Sequence, residues 1–282
     1  KLGPIARSAE DCALVLNAIY GPDGQDTSVA SEPFHWGATD WRSLRIGYLK
    51  SAFDPIGPFK PEPGAANETT EQKATREKRN VERQQFHARR VYDQHYDLAA
   101  LDALRKMNVA LIPVELPKLP YGAITPLLNA EAAAAFDQLT LTGRDSLLTA
   151  QAAYDWPNIF RTARLYPAVD YIQANRARTL VVQQMSALFE HVDIIVTPTM
   201  DEQLVATNLS GHPALIVPNG LRGADAPKPP KEDTGDYDNI GGPGTPVSIT
   251  FLAAHYQDAR LAAFGHAYQQ ATGFHKLHPR LD

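Results

Sequence analysis

The residues with the clearest potential for chemistry lie in the stretch "TNLSGHP", where Gly211 separates Ser210 from His212. A serine beside a histidine can act as a nucleophile with its base if a tight turn exposes the serine and N–H groups stabilise the oxyanion. We expect side chains this close along the chain to diverge, and the sequence has no G-x-S-x-G or S-x-x-K motif. We therefore interpret Ser210 as a turn or cap residue, with a nucleophilic role as the alternative.

Three other groups have residue types that occur in metal, acid–base or phosphate sites. His275 and His278 have i, i+3 spacing but no second ligand pair, and Asp201 and Glu202 are adjacent carboxylates after a predicted strand. The glycine-rich stretch 241–245 precedes a strand, whereas a phosphate-binding loop precedes a helix. We interpret these groups as a solvated tail, water-facing acids and a turn, and we predict no catalytic constellation, metal site or cofactor.

The composition argues against a nucleic-acid-binding protein and against membrane-spanning segments. The chain has 282 residues and a net charge of −5, which gives no reason to expect a nucleic-acid partner. Its apolar runs, such as "VDIIV", are too short to cross a membrane. The single cysteine, Cys12, falls on the apolar face of a predicted helix, so a buried, inert thiol is expected. A cytoplasmic location is favoured, with a signal peptide upstream of Lys1 as the open alternative.

The first residues lead directly into a helix. Ser8 is placed as its N-cap, Asp11 stands three residues later as in a capping box, and Gly21 ends the helix. The apolar stripe of this helix is predicted to be Cys12, Val15, Leu16 and Ile19. Because no start is visible before this helix, we expect the sequence to be part of a longer chain.

Short apolar runs alternate with helical patterns along the rest of the chain. The predicted strands are "LRIGYL", "VALIPVEL", "VDIIVTPT", "PALIVPNG" and "GTPVSITFLA". Helices are predicted around Leu98–Met107, over 126–141, over 168–191, and at the end of the chain around Leu261–Ala271. This alternation predicts an α/β fold, with a mixed β-sheet flanked by helices on both faces.

Two segments fall outside this regular pattern. Residues 53–97 read as a charged or variable insertion, in which 71–95 form a solvated helix because acidic and basic residues are interleaved. An anionic partner for its arginines is the alternative. Residues 221–244 are rich in Pro, Gly, Lys and Asp and are predicted to form a loop, with a mobile hairpin as the alternative.

Four segments together resemble the amidase signature family. They are "LGPIARSAEDCALVLNAIYGPDGQD", "YIQANRARTLVVQQMSALFEHVDIIVTPT", "TNLSGHPALIVPNG" and "GTPVSITFLAAHYQDARLAAFGHAYQQATG". The resemblance implies a mixed sheet surrounded by helices and amide hydrolysis through a Ser–cis-Ser–Lys triad. In the family, that triad lies N-terminal to the segment matching Leu2–Asp11. The resemblance therefore implies that 1–282 is the C-terminal portion of a single amidase domain and carries no catalytic residue.

The same resemblance suggests which residues contact substrate. Family members build the wall of the substrate cleft from a helix like that around Glu131, the region near Trp156 and the loop after a Pro-Thr corner, which in this chain is Pro198–Thr199. The substrate-binding candidates are Trp156, Asn158, Phe160, Thr199 and Met200. Core packing is the alternative for Trp156 and Phe160. The loop after the corner, "MDEQLVA", is short, so a different or more open pocket is expected.

Three functions compete at this point. The first is an amidase that hydrolyses a small-molecule amide, of which this chain is the C-terminal portion. The second is the A-type subunit of a tRNA-dependent amidotransferase, ranked lower because 199–208 is too short for the long loop expected there. The third is a catalytically inactive remnant. A piece of a sheet is also expected to form a homo-oligomer or associate through exposed strand edges.

Overall fold

The computed structural model describes residues 3–152, 155–227 and 241–277. The chain divides into two compact units. The first, here the sheet unit, comprises Lys1–Glu115, Val192–Thr199 and Pro213–Asp282. The second, here the helical unit, comprises Leu116–His191 and Met200–His212. The single amidase domain over 1–282 remains a prediction.

The sheet unit contains a mixed five-stranded sheet. Its strands are β1 (Ile46–Leu49), β2 (Leu111–Val114), β3 (Ile194–Pro198), β4 (Ala214–Leu221) and β5 (Pro246–Ala253). Their order across the sheet is β2-β1-β3-β5-β4. β1 runs parallel to β2 and β3, whereas β5 runs antiparallel to β3 and β4. β3 is fully buried, which explains its unbroken apolar sequence. The predicted mixed α/β fold is confirmed.

The first helix, α1 (Ala9–Ile19), begins as predicted, but its fully buried residues are small ones. The Asp11 N–H donates to Ser8 Oγ at 3.0 Å, which confirms the N-cap. Ala9 and Ala13 are buried, whereas Val15 and Ile19 are 46% and 53% exposed. The predicted stripe was therefore wrong at Val15 and Ile19, whereas Leu16 is half-buried and packs against the core cluster that contains Ala13. Cys12, expected to be buried, is half-buried. The small alanines allow α1 to approach the last helix, α8 (Asp258–Thr272), closely.

The charged segment is most of one long helix, α2 (Thr70–Lys106). Thr69 and Gln72 form a capping box at its start, and its charged turns are largely solvated, as predicted. Its last turns are apolar and pack into the sheet core. Residues of α2 and α8 in this core are Ala100, Leu101, Leu104, Leu261, Phe264 and Tyr268. None of the described helices is long and apolar enough to span a membrane.

Helix α2 also holds the far end of β4. The Arg222 guanidinium pairs with both carboxylate oxygens of Asp93, at 2.8 and 2.6 Å, and the Tyr96 hydroxyl donates to the Leu221 carbonyl at 2.7 Å. Gly220 has a φ of +149°, and a Cβ there would lie 2.9 Å from the Tyr96 ring. Of the predicted loop 221–244, Leu221 belongs to β4, and 228–240 lie outside the described residues.

The helical unit comprises α3 (Pro126–Ala135), α4 (Asp137–Leu141), α5 (Trp156–Ala163), α6 (Ala168–Leu188) and α7 (Glu202–Ser210). The single helix predicted over 126–141 was wrong, because the chain bends at Phe136 (φ −106°, ψ 22°). The predicted loop "MDEQLVA" was also wrong. Asp201 accepts a hydrogen bond from the Glu202 N–H at 2.8 Å, and this cap starts α7.

Candidate functional site

A cluster of hydroxyl groups lies at the carboxyl end of β3. The Ser248 Oγ donates to the Thr199 Oγ1 at 3.1 Å, and the Thr250 Oγ1 donates to the same atom at 3.0 Å. The pairing of β3 with β5 produces this cluster, because Thr197 lies opposite Thr250 and Pro198 opposite Ile249. Thr199, one of the predicted substrate-binding residues, is thus brought together with two hydroxyl groups that the sequence did not indicate.

The position of this hydroxyl cluster favours ligand binding. In open α/β sheets, ligands bind beyond the carboxyl ends of the parallel strands, and β1 and β3 are parallel here. Thr250 is buried, whereas Thr199 and Ser248 are half-buried and reach solvent. Hydroxyl groups donate and accept hydrogen bonds, so they can hold an amide carbonyl or N–H in place.

A stack of three aromatic rings lies in the helical unit. The Phe160 ring is 5.6 Å from the Trp156 ring and 5.5 Å from the Phe136 ring, with interplanar angles of 30° and 29°. Phe160 is only 4% exposed, whereas Trp156 and Phe136 are 46% and 52% exposed. Phe160 therefore packs in the core, while Trp156 and Phe136 present apolar ring surface to solvent. Phe136 was not among the predicted residues, because an unbroken helix was expected through this position.

Asn158 and its neighbours brace the loop before α5. The Asn158 amide donates to the Gln151 and Ala152 carbonyls at 3.2 and 2.9 Å, and its Oδ1 accepts from Arg161 at 3.0 Å. Arg161 also pairs with the buried carboxylate of Asp145 at 2.6 Å. The amide group of Asn158 thus already holds backbone and side-chain partners, and substrate binding by Asn158 stays a prediction.

The five predicted binding residues are divided between the two units. Trp156, Asn158 and Phe160 share helix α5, and two of their side chains stack on each other. Met200 also belongs to the helical unit and is 58% exposed. Thr199 belongs to the sheet unit.

Ser210 and His212 contact each other, contrary to the expectation that their side chains diverge. The Ser210 Oγ lies 2.8 Å from the His212 Nδ1, and the His212 Nε2 lies 3.4 Å from the Ser186 Oγ. Gly211 adopts a left-handed conformation (φ +82°) that turns the chain back on itself. His212 is fully buried against the Phe189 ring, and Ser210 is 5% exposed. This burial favours a structural role for the pair.

Burial also affects the protonation of the helical unit. Burial, and to a smaller degree the Glu202 carboxylate, raises the pKa of Tyr121 to about 12. The neutral Tyr121 hydroxyl donates to the Pro117 carbonyl at 2.6 Å. Tyr121 therefore acts as a hydrogen-bond donor in the core at neutral pH. Within the described ranges, no group of three or more His, Cys, Asp or Glu residues could hold a metal ion. His278, half of the predicted histidine pair, lies outside those ranges.

Comparison with known families decides the identity of the fold. The sequence model of the Amidase family matches residues 1–262. The chain belongs to the amidase family. The resemblance that rested on four segments of sequence is thereby confirmed.

Relatives of this amidase chain include the A-type subunits of glutamyl-tRNA(Gln) amidotransferases. The chain is 25% identical over 312 residues to that of Deinococcus radiodurans, covering 95% of this chain and 55% of that protein. It is also 25% identical to that of Ralstonia nicotianae, over 319 residues, covering 98% of this chain and 57% of that protein. The chain thus spans about half the length of the curated relatives it matches.

Solved structures confirm the fold of the amidase chain. A bacterial aryl acylamidase of the amidase signature family matches with a TM-score of 0.63 and 16% identity, over 97% of this chain and 53% of that one. The peptide amidase of Stenotrophomonas maltophilia matches with a TM-score of 0.58 and 21% identity, over 96% of this chain and 53% of that one. At these identities, the likeness establishes the fold alone.

Proposed function

We propose that this chain is the C-terminal portion of an enzyme that hydrolyses the carbon–nitrogen bond of a small-molecule amide. The observation that carries the proposal is the family match over 1–262. Hydrolysis would follow the Ser–cis-Ser–Lys route of the family: the lysine deprotonates the bridging serine, the nucleophilic serine attacks the amide carbonyl, and water releases the acyl group. Backbone N–H groups would stabilise the oxyanion.

In this proposal the nucleophile and its base lie upstream of the chain, and the chain supplies one wall of the substrate site. Two observations support this division of roles. The chain spans 55% and 57% of the length of two amidotransferase relatives. Its own Ser–His pair is buried, whereas the Thr199 hydroxyl is half-buried and has partners that hold it in place. The chain alone is therefore proposed to be inactive.

Fluorophosphonate labelling tests the proposal, because such probes react with activated serines. The native protein and the isolated 282-residue chain are labelled in parallel, and the modified serine is located by peptide mass spectrometry. We expect amide hydrolysis and labelling in the native protein, with the modified serine outside 1–282, and neither in the isolated chain. Labelling of Ser210 would overturn the upstream assignment. A native protein that hydrolyses none of a panel of aryl, alkyl and peptide amides would overturn the function itself.

The amidotransferase is the second candidate, because two curated relatives carry that name. Such a protein would pass ammonia from an amide to a partner. The segment 199–208 argues against this function, because it is too short for the loop expected of such a subunit and most of it is helix α7. Affinity purification of the native protein distinguishes the two functions: a tRNA-dependent product with a copurified partner favours the amidotransferase, whereas turnover by the purified protein alone favours the amidase.

A further inference from the structure

The sheet unit contains a cleft of about 640 Å³ that the amidase proposal does not use. Two short turns (Trp36–Ala38 and Trp41–Ser43), the end of α2 and one face of α8 line it. Its volume falls in the range of sites for small molecules. The aromatic, charged and amide side chains that line this cleft are Trp36, Trp41, Arg42, Asn108, His266 and Gln270.

Two tryptophan rings give this cleft fixed aromatic walls. Trp41 packs against the sheet core, with its ring 6.4 Å from that of Phe264 at an angle of 63°. Trp36 contacts the His266 ring edge-on at 5.9 Å. Both tryptophans are half-buried and line the cleft. Planar, rigid walls of this kind favour a planar ring as ligand.

A positive charge stands on one of these walls. The Arg42 guanidinium lies over the Trp41 ring, 4.6 Å from its centroid. Within the described part of the chain it forms no ion pair, and the Asp40 carboxylate accepts a hydrogen bond from the backbone N–H of Arg42 at 3.1 Å. A guanidinium stacked on an indole keeps its N–H groups free along its edge, and that edge matches a carboxylate.

The other polar groups limit the charge of the ligand. His266 lies 3.9 Å from the carboxylate of Glu10, which adds a negative charge near the cleft. Asn108 has a left-handed backbone (φ +62°), and its amide and that of Gln270 can donate or accept hydrogen bonds. The cleft thus has one arginine, with the carboxylates of Asp40 and Glu10 nearby, and this balance suits a single negative charge better than a polyphosphate.

We propose that this cleft binds an aromatic monocarboxylate. The ring of the ligand lies against the indole of Trp36, beside the Arg42 guanidinium that covers Trp41. Its carboxylate accepts two hydrogen bonds from the edge of the Arg42 guanidinium.

Benzoate is titrated into the 282-residue chain. The indole N–H signals of its three tryptophans are followed in a ¹H–¹⁵N spectrum. For so small a ligand, a dissociation constant on the order of 1 mM is expected, so benzoate is titrated to about 20 mM. The signals of Trp36 and Trp41 should shift together and saturate. Trp156 is itself a substrate-binding candidate, so its signal is followed separately. The backbone amide signals of α6, which belongs to the helical unit, serve as the internal control and should not shift. Trp36→Phe and Trp41→Phe assign the signals.

Substitutions of Arg42 test the charge. Arg42→Gln should weaken benzoate binding about tenfold, and Arg42→Lys by less, because lysine keeps the charge without the paired N–H groups. Arg144→Gln, at an exposed arginine of the helical unit, is the matched control and should leave binding unchanged. Thermal melting of each variant verifies that it folds, which is expected because Arg42 is exposed.

Three results would overturn the proposal. The first is a benzoate titration in which the Trp36 and Trp41 signals do not shift or shift no more than the backbone amide signals of α6. The second is equal binding of benzoate by Arg42→Gln and the unaltered chain. The third is equal binding of benzamide or of acetate, which would remove the need for the charge or for the ring.

Discussion

The Ser210 Oγ and the His212 Nδ1 lie 2.8 Å apart although they are neighbours but one along the chain. Gly211 makes this possible, because its left-handed conformation (φ +82°) folds the two side chains toward each other. The histidine then reaches from the end of α7 to Ser186 on α6. The contact thus ties two helices of the helical unit together.

Ser210→Ala should lower stability without affecting amide hydrolysis. It removes the 2.8 Å hydrogen bond to the buried His212, at a cost of about 1 kcal/mol in the free energy of unfolding. Ser186→Ala removes only the longer 3.4 Å contact and should cost less. Urea denaturation of both variants measures the difference. A Ser210→Ala variant of the native protein that unfolds normally but loses hydrolysis would instead make Ser210 the nucleophile.

Phe160 and Trp156 should respond differently to truncation. Phe160→Ala empties a site that is 4% exposed and should cost about 3–5 kcal/mol of unfolding free energy. Trp156→Ala removes a ring that is 46% exposed and should cost far less stability, while raising the KM of the native protein for aryl amides. Steady-state kinetics with aryl and alkyl amides measure this preference. An unchanged KM for aryl amides in Trp156→Ala contradicts a role for Trp156 in substrate binding.

Thr199→Val should reduce turnover by the native protein. The substitution removes the oxygen to which Ser248 and Thr250 donate, and with it the hydroxyl proposed to hold the amide. We expect a fall in kcat/KM of about tenfold, the effect of losing one hydrogen bond of about 1.4 kcal/mol. Thr199→Ser keeps the oxygen and should retain most of the activity. Unaltered kcat/KM in Thr199→Val would show that the hydroxyl cluster serves the fold only.

Protonation of the Asp193 carboxylate should make the sheet unit less stable in acid. Burial alone would raise the pKa of this carboxyl group, but hydrogen bonds from Arg45 and the charge of Arg260, at 2.8 Å, outweigh it and lower the pKa. A lowered pKa stabilises the fold above the ordinary aspartate pKa of about 3.9, and this stabilisation is lost as pH falls from there through the folded-state pKa. Asp193→Asn should cost about 2 kcal/mol at neutral pH.

Denaturant unfolding over a range of pH tests this prediction. The difference in unfolding free energy between Asp193→Asn and the unaltered chain should be largest at neutral pH and should shrink as the pH falls below about 4. Asp102→Asn is a matched control, because among the described residues Asp102 forms an ion pair only with Arg105, and that pair is exposed. A difference that stays constant down to the lowest pH would mean that the ionised carboxylate contributes nothing to stability.

We propose that edge strand β4 promotes self-association of the isolated chain, as expected from its sequence. β4 ends the sheet order, and its Ile216 side chain is 54% exposed. Ile216→Lys places a charge on this edge and should reduce association. Light scattering coupled to size-exclusion chromatography over a tenfold range of concentration measures it. An isolated chain that stays monomeric throughout that range contradicts the proposal.

Local chemistry along the chain determined which segments fold into which elements. Five apolar runs became the five strands, and the Ser8 cap and the charge pattern of 71–95 located the start of α1 and the course of α2. The family could be identified from the sequence, because its motifs occur in order along the chain. The family model matches residues 1–262. These features depend on neighbours in the chain, which the sequence contains.

Only the tertiary structure decided which faces and side chains meet. The apolar stripe of α1 pointed to Val15 and Ile19, but close approach to α8 required the small residues Ala9 and Ala13. The Thr199 hydroxyl meets Ser248 and Thr250 only because β3 pairs with β5 in one register. The cleft around Trp41 forms from segments that lie far apart along the chain, 36–42 and 263–271. Such contacts depend on packing between distant segments, and the periodicity of a single segment carries no information about its partner.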